Sequence, residues 1–400
     1  MLRLNDAVEK ALSEMILTSE QILAIAGRFC LAMREGLAGR ESSLKMRPSY
    51  LDKPTGQETG TYAAIDFGGT NIRVMRVKLM GGGRYEIERA SSFKVFHAEG
   101  RQIFAKMASE LKKVLVPGEP IALGHVFSFP FQQNQVNQAI LLHWTKEIKI
   151  PGVEGEDVTR LLKEALEIEG MGYVIPRAVL NDTVGTYLTF AYQEPAAGIA
   201  SICGTGHNSC CLCLTAGQER IVNLESGNFD PLTQTHYDRL LDEQAETPGQ
   251  QRLEKMVGGR YLGELFRLMS SDCLDSPWQA YEIRTEDLMG LLDPRARQSF
   301  KALKATPEDL VVLGRIARAL IKRAACLTAA TYLGMLHYMD PTEGRHYAVG
   351  IDGSLYQHNA LFAEQLNYIL RRYSRQVAGI HGVGQGSVLG AAIAAALTMR

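Results

Sequence analysis

The order of apolar and polar residues predicts a mixed chain of strands and helices. Apolar residues recur at helical spacing over 19–35, which predicts an amphipathic first helix. A linker rich in Gly, Pro and Thr at 51–61 leads to a strand at 62–67 and, after a glycine turn, a second at 72–79. Further elements are predicted as strands at 85–96, 121–129, 178–180 and 348–351 and helices at 101–114, 157–167 and from 183. Alternating strands and helices indicate an α/β architecture.

Two segments repeat one pattern. IDFGGTN at 65–71 and ICGTGHN at 202–208 each place an apolar strand before a Gly/Thr turn, an Asn and a further strand. Asp66 and Cys203 are separated by 137 residues, as are Asn71 and Asn208. This repeat predicts two duplicated halves that face each other. Backbone N–H groups in glycine turns bind anions, so we expect the two loops to hold a polyphosphate between them.

The first loop combines phosphate-binding and metal-binding chemistry. Gly68 and Gly69 allow the backbone to approach phosphate, and Thr70 adds a hydroxyl. Asp66, at the end of the strand, is a candidate ligand of hydrated Mg²⁺. The alternative is a hairpin bend with a solvated Asp, because Gly-Gly-Thr-Asn is favourable turn chemistry without any ligand.

The second loop repeats the arrangement with Gly204, Thr205 and Gly206. Asn208, at its far end, offers an amide that both donates and accepts hydrogen bonds. His207 is interpreted as a structural residue of the loop, either at the surface or packed, and not as a catalytic one.

A candidate general base lies in AVLNDTVGTYL, where Asn181 and Asp182 stand between a strand and a helix. Phosphoryl transfer to a hydroxyl has a loose transition state, so an ordinary carboxylate suffices to orient the hydroxyl and accept its proton. Asp182 is therefore predicted to be the base and, through water, a second metal contact. The alternative is that Asp182 only caps the helix.

Other polar residues are candidates for a sugar site, because polyols are recognised by carboxylates and amides in a dry pocket. They are Ser128, Thr145, Lys146, Glu225 and Glu254. A solvated surface position is the alternative for Glu225 and Glu254, and Trp144 is interpreted as core packing.

Two glycine motifs near the end of the sequence suit a nucleotide. The strand at 348–351 runs into Asp352, Gly353 and Ser354, and GVGQGS at 382–387 opens a helix of small apolar residues. Glycine before a helix N-terminus favours phosphate binding. The alternative for GVGQGS is a flexible loop before a closely packed helix.

Composition narrows the class of protein. Lys+Arg of 43 against Asp+Glu of 44 gives a net charge of −1, without a basic run, so no nucleic-acid partner is expected. The first residues lack a signal-peptide core, and the apolar stretch at 388–399 is shorter than the ~20 residues of a membrane span, so we expect a cytoplasmic protein without a membrane partner. Seven cysteines without CxxC spacing indicate buried apolar residues, not a disulfide framework or a zinc site.

Taken in order, these motifs resemble the hexokinase family of eukaryotic-type hexokinases and glucokinases. The strings are LKMRPSY, PTGQETG, AAIDFGGTNIRVMRV, FSFP, LLHWTK, GVEGEDV, LNDTVGTYL, GTGHNSC, NLESGNF, TPGQQRLEKMVGGRYLGEL and VGIDGSLYQHNALF, covering about 44–390. The resemblance implies an actin-like, duplicated ribonuclease-H-like fold with a deep interdomain cleft. It also implies a small domain of 61–180 plus 386–400 and a large domain of 1–60 plus 181–385, which close around the sugar.

The resemblance also assigns roles to residues. It places ATP and Mg²⁺ on Asp66, Gly68, Gly69, Thr70, Asn71, Arg73, Gly204, Thr205, Gly206, Gly353, Ser354, Gly386 and Ser387. It places the hexose on Ser128, Phe129, Pro130, Thr145, Lys146, Asn181, Asp182, Asn208, Glu225 and Glu254. Asp182 is the implied general base, and Lys146 is implied to face the transferred phosphoryl group.

The implied activity is transfer of the ATP γ-phosphoryl group to the 6-hydroxyl of glucose, mannose or fructose, the first step of glycolysis, by a monomer or homodimer. NLESGNF lacks the family's usual aromatic residue after Glu, and WTKEIKIPG lacks the usual Gly-Phe after Lys, so the pocket shape is expected to differ. The alternative function is a hexose sensor of the same fold that binds sugar without turnover. An enzyme of this fold that acts on glycerol or acetate is a third, weaker option.

Overall fold

The computed structural model describes residues 2–96, 99–145, 148–215, 217–274, 278–292, 306–384 and 386–399. The strands are β1 Arg47–Pro48, β2 Thr59–Phe67, β3 Asn71–Gly81, β4 Arg84–Lys94, β5 Ile121–Phe127, β6 Phe131–Gln132, β7 Ile140–Leu141, β8 Val174–Leu180, β9 Ala197–Cys203, β10 His207–Thr215, β11 Gln218–Asn223, β12 Tyr347–Asp352 and β13 Val377–Gly382. The helices are α1 Leu2–Glu14, α2 Ser19–Leu37, α3 Gly100–Val114, α4 Val158–Ile168, α5 Asp182–Gln193, α6 His236–Gln244, α7 Arg252–Val257, α8 Gly259–Leu274, α9 Thr285–Leu292, α10 Pro307–Met339, α11 Ser354–His358, α12 Ala360–Tyr373 and α13 Gly386–Leu397.

Two sheets share one topology. The first sheet has the order β4-β3-β2-β5-β8, and the second has β1-β11-β10-β9-β12-β13. In each, a three-stranded antiparallel meander is extended by two parallel strands on the side of its first strand. The duplication predicted from the two Gly/Thr loops is therefore confirmed, and both loops connect the first two strands of a meander. The α/β class and the two-part architecture are also confirmed.

The helix that follows the last strand of each sheet packs on the other sheet. α5 follows β8 and contacts β9, β10 and β12, whereas α13 follows β13 and contacts β2, β5 and β8. The two helices cross at Gly185 and Gly390, where a Cβ on Gly390 would overlap the Gly185 carbonyl group. Glycine is needed there because the two backbones touch. α13 thus returns to the first sheet, and the predicted division into a small and a large domain stays a prediction.

The first predicted helix is the second one in the structure. α2 matches the predicted span, but α1 precedes it, and the apolar face of α2 buries Phe29 and Met33 in a core shared with α10. The described residues contain one stretch, Val8–Leu37, long and apolar enough by composition to cross a membrane. That stretch is broken before Thr18, which caps α2, and core helices pass the same test. The absence of a membrane partner stays a prediction.

All seven cysteines are free and buried, as expected from their spacing. They therefore serve as small packing residues.

Candidate active site

Asp66 lies at the end of β2 and is almost fully buried, with 3% of its surface exposed. The antiparallel register puts Arg73 of β3 directly opposite, and Arg73 donates through Nε at 3.1 Å and through Nη2 to Asp66 Oδ2. Ser387, in the first turn of α13, donates its hydroxyl to the same oxygen at 3.0 Å. A hairpin of neighbouring strands and a helix more than 300 residues further along the chain thus meet on one carboxylate.

The electrostatics of this carboxylate connect it to Asp182. Burial raises the pKa of Asp66, the Arg73 guanidinium and the Ser387 hydroxyl oppose that rise, and the negative charge of Asp182 adds to it. The carboxylates are therefore close enough to repel each other, and a hydrated cation between them would relieve this repulsion. Asp66 and Asp182 are the two residues that the sequence predicted as metal contacts through water.

A third carboxylate, Asp352 at the end of β12, was not among the predicted site residues. Burial raises the pKa of Asp352, and the charge of Asp182 contributes to that rise while Arg73 opposes it. Asp352 Oδ1 accepts hydrogen bonds from Gly353 N at 2.7 Å and Gln357 Nε2 at 3.0 Å. The signal in the sequence was the position of this Asp at the end of an apolar strand, which it shares with Asp66.

Two of the predicted nucleotide glycines are packed so closely that a side chain would not fit. Gly353 has a φ of 110°, and a Cβ there would lie 2.8 Å from Gly204 N. A Cβ on Gly386 would lie 2.7 Å from Asp352 Oδ2, whereas one on Gly204 would make only ordinary contacts. The second loop, the end of β12 and the start of α13 therefore lie next to one another, as a phosphate site built from backbone groups requires.

The remaining first-loop residues form a tight bend. Gly68 N donates to Asn71 O at 3.2 Å, and Thr70 O accepts from Val95 N at 2.9 Å. Gly69 is partly exposed between them, and the Thr70 and Asn71 side chains are exposed. Ser354 is also exposed, at the start of α11.

Residues at the α7–α8 junction hold the second loop through hydrogen bonds to its backbone. Gly259 N and Arg260 N donate to Gly204 O and Thr205 O at 2.8 and 2.9 Å. Glu254 Oε2 accepts from His207 N at 2.9 Å, and a Cβ on Gly206 would lie 2.5 Å from that oxygen. The structure thus shows Glu254 holding the loop, while its predicted contact with sugar stays a prediction. His207 is buried, so of the two structural positions left open by the sequence it occupies the packed one.

Asn181 and Asp182 begin α5. Asn181 is the N-cap, and its Oδ1 accepts from Thr183 N at 2.9 Å. Asp182 is the first helical residue, half-buried, and its Oδ1 accepts from the same N–H at 2.8 Å. Asn181 is therefore the N-cap of α5, although Asp182 accepts a hydrogen bond from the same N–H. Asp182 lies at the N-terminal, positive end of the helix, near Asp66 and Asp352.

A cavity of about 560 Å³ opens between the ends of the two sheets. Phe129, Asn181 and Glu225, all predicted sugar contacts, line it together with Asn223. The segment 45–50 covers another side of the cavity and was missed by the sequence analysis. Arg47 Nη1 and Tyr50 Oη of this segment donate to the backbone oxygens of Phe131 and Gln133, both at 3.1 Å.

The wall of the cavity formed by β10 and β11 carries a network of amides. Asn208 Oδ1 accepts from Ser209 N at 2.7 Å and Ser226 N at 3.2 Å, and its Nδ2 donates to Asn223 Oδ1 at 3.0 Å. Asn223 Nδ2 donates in turn to Glu225 Oε1 at 2.8 Å. Asn208 is therefore anchored by the protein itself.

The opposite wall rests on an aromatic cluster of Phe67, Phe127, Phe129 and Trp144. β5 ends at Phe127, two residues before the predicted end at 129, although Ser128 N still donates to Phe67 O of β2 at 3.1 Å. Pro130 and Thr145 accept backbone hydrogen bonds from Leu142 and Ile148 at 3.0 and 3.2 Å. Lys146 lies outside the described residues.

No group of three His, Cys, Asp or Glu side chains that could hold a metal ion directly is found in the described ranges. Contact through water with Mg²⁺, which keeps several waters at phosphate sites and uses one or two carboxylates, stays a prediction.

Two facing halves with this topology and a carboxylate-lined cleft define the class of actin-like sugar kinase folds. Models of the hexokinase family match residues 7–192 and 198–397. The chain belongs to the hexokinase family.

Known relatives cover nearly the whole chain. Hexokinase-2 of Rattus norvegicus is 32% identical over 97% of this chain and 48% of its own length. This chain therefore spans about half the length of such curated relatives. A crystal structure of a hexokinase has a TM-score of 0.88 with 28% identity over 99% of this chain and 100% of its own. The Schistosoma mansoni hexokinase complexed with glucose has a TM-score of 0.86 with 28% identity over 99% of each chain.

Proposed function

We propose that this protein is an ATP-dependent hexokinase that transfers the γ-phosphoryl group of Mg·ATP to the 6-hydroxyl of glucose and of related hexoses such as mannose and fructose. The observation that carries the proposal is the position of Asp182, at the start of α5, next to a cavity wall formed by Asn181 and within electrostatic reach of Asp66 and Asp352. The resemblance of the fold to a hexokinase complexed with glucose supports the choice of sugar.

The residues on the nucleotide side fit Mg·ATP. Oxygen donors on Asp66, Asp182 and Asp352 suit a hydrated magnesium ion, and Gly204, Gly353 and Gly386 leave the backbone beside them free of side chains. When bound, the metal supplies neutralisation of the charge on the transferred phosphoryl group. Arg73 keeps the buried Asp66 paired with a positive charge, and Ser387 fixes the orientation of its carboxylate.

Asp182 acts on the acceptor. Its carboxylate orients the sugar hydroxyl and accepts its proton as the bond to phosphorus forms. Glu225 and Asn181 at the cavity wall bind other hydroxyls, so that the acceptor is positioned and water is displaced. We place the reaction in the cytoplasm as the first step of glycolysis, by a monomer or homodimer without membrane or nucleic-acid partners.

A coupled assay of glucose 6-phosphate formation tests the proposal, with mannose, fructose and galactose as further acceptors. Removal of a general base costs roughly 10²–10⁴-fold, so Asp182→Asn is expected to lower kcat by that factor while glucose binding measured by calorimetry persists. The exposed Asp230→Asn serves as the control and is expected to keep wild-type kcat. Wild-type protein without product, or an Asp182→Asn variant with most of its activity, would contradict the assignment.

The second candidate is a hexose sensor of the same fold. Tight glucose binding with negligible turnover by the wild-type protein would favour it, whereas turnover at ~1–10³ s⁻¹ supports the kinase. The three carboxylates near the nucleotide glycines favour the kinase, because a sensor has no need of them.

A further inference from the structure

Asn223, the last residue of β11, connects two predicted sugar contacts. Its side chain is buried, with 5% of the residue exposed, and it lines the cavity. Its Oδ1 accepts from Asn208 Nδ2 at 3.0 Å and from Glu225 N at 3.3 Å, while its Nδ2 donates to Glu225 Oε1 at 2.8 Å. One amide thus holds both the backbone and the carboxylate of Glu225.

The backbone of Glu225 makes this support necessary. Glu225 has φ 53° and ψ 49°, a left-handed conformation that residues with a Cβ seldom adopt. Such conformations persist where surrounding contacts over-determine them, and they concentrate at functional sites. Here the contacts come from Asn223 on one side and from Asn228, whose N and Nδ2 donate to Glu225 O at 3.0 and 3.2 Å, on the other.

We propose that Asn223 is a positioning residue for the acceptor sugar, which fixes the direction of the Glu225 carboxylate and couples it to Asn208. This inference rests on the proposed function, because it assumes that Glu225 binds sugar. It assigns Asn223 a role in sugar affinity and none in nucleotide binding.

The chemistry requires an amide at this position. An amide presents a donor to the carboxylate and an acceptor to the other two partners at the same time. An Asp in its place keeps the shape and the acceptor but sets one carboxylate against another, which are mutually repulsive at hydrogen-bond distance. Asn223→Asp therefore reverses one interaction with little change in packing.

Steady-state kinetics and glucose calorimetry on the full chain test the proposal with Asn223→Asp and Asn223→Ala. A hydrogen bond to a charged group is worth a factor of roughly 10–100 in binding, so we expect glucose KM and Kd to rise by about that factor. The ATP KM is expected to stay within about twofold. Asn228→Ala removes the bond from Nδ2 to Glu225 O but keeps the bond from Asn228 N, so the backbone of Glu225 stays supported and its carboxylate is untouched. We therefore expect a change of less than about threefold in glucose KM.

Three results would overturn the positioning role. They are an unchanged glucose Kd in Asn223→Asp, equal losses of glucose and ATP affinity, or an effect of Asn228→Ala as large as that of Asn223→Asp. Thermal melting of each variant separates loss of folding from loss of affinity. If wild-type protein binds glucose but forms no product, the proposed transfer fails while the binding constants still decide the role of Asn223. If it binds no hexose, both proposals fall.

Discussion

The ionisation of Asp66 depends on one guanidinium. Burial favours the neutral carboxyl and Arg73 favours the carboxylate, so the charge available for a metal is set by the balance of these two effects. The hydrogen bond from Ser387 also favours the carboxylate, and the negative charge of Asp182 disfavours it.

Arg73→Met removes the guanidinium and keeps an apolar stem of similar reach. The pKa of Asp66 then rises further, so a higher pH is needed to ionise it, and the acid limb of the kcat/KM profile is expected to shift to higher pH. Pre-steady-state or steady-state rates measured with Mg·ATP between pH 5 and 9 define this acid limb. Arg73→Lys keeps the charge and is expected to shift it less; coincident limbs in wild type and Arg73→Met would contradict the argument.

Single residues with a chemical signature were predictable from the sequence, and residues that act by geometry were not. Asp66 precedes a glycine turn and Asp182 lies at a strand–helix junction, so the residues next to them in the sequence indicated both as candidates. Asn223 and segment 45–50 reach the cavity only because β1 pairs with β11 and places Arg47 beside Asn223. No local pattern encodes that pairing, which depends on strand contacts between distant segments.

The crossing of α5 and α13 is the element that ties the two sheets together. It also places Ser387 on Asp66, since Ser387 belongs to the first turn of α13. A change at the crossing is therefore expected to affect stability and the nucleotide site together.

Gly390→Ala introduces a methyl group where α13 touches the Gly185 backbone. Because backbone cannot move aside, overpacking is expected to lower the free energy of unfolding by roughly 1–3 kcal/mol. Gly27→Ala in α2 is the matched control, because a Cβ there meets nothing within 4 Å, and it is expected to stabilise by up to about 1 kcal/mol. Urea denaturation measures both, and equal stability of the two variants would refute close packing at the crossing.

Elements were predictable where one face is buried or where glycine, Asn or Asp marks their start. The predicted strands and helices up to 193 match the structure within a few residues, whereas α1, β1, β6 and β7 were not predicted. The long helix α10 was not predicted, because its second half is buried on nearly every side and shows no single apolar stripe. Helices α6 to α9 also went unassigned; α7, α8 and α9 pack on α10, and α6 packs on α7 and α8.

At the scale of the whole molecule, the duplication explains why distant segments converge. The first strand of each meander, β2 or β9, ends at a Gly/Thr loop. Helices α5 and α13 each pack on the sheet that they do not follow, and they place the two loops on either side of one cleft. Asp182 lies in the first turn of α5 and Ser387 in the first turn of α13. The candidate base and a residue of the nucleotide side therefore occupy similar positions in the two halves of the repeat.

The stability of the whole chain is expected to fall in mild acid because of two buried histidines. Burial lowers the pKa of His125 to about 3 and that of His207 to about 4, and within the described residues both nitrogens of His125 and Nε2 of His207 have no hydrogen-bond partner. An unfolded histidine titrates near ~6.5, so below that pH the unfolded chain binds protons that the native chain does not. The stabilisation is complete above pH ~6.5 and is lost at ~1.4 kcal/mol per pH unit for each histidine as the pH falls.

Replacement of His125 by an apolar residue isolates this effect. His125→Leu removes the titrating group from the core of the first sheet, so the free energy of unfolding is expected to decline less steeply between pH 6.5 and 4.5 than in the wild type. His346→Leu, at an exposed position, is expected to leave the slope unchanged. Urea denaturation at each pH gives the slope for each of the three proteins. Each variant removes one histidine, so the two differ in whether the lost histidine is buried. Equal slopes in all three proteins would show that His125 is protonated equally in the native and unfolded states, and hence that burial does not hold it neutral.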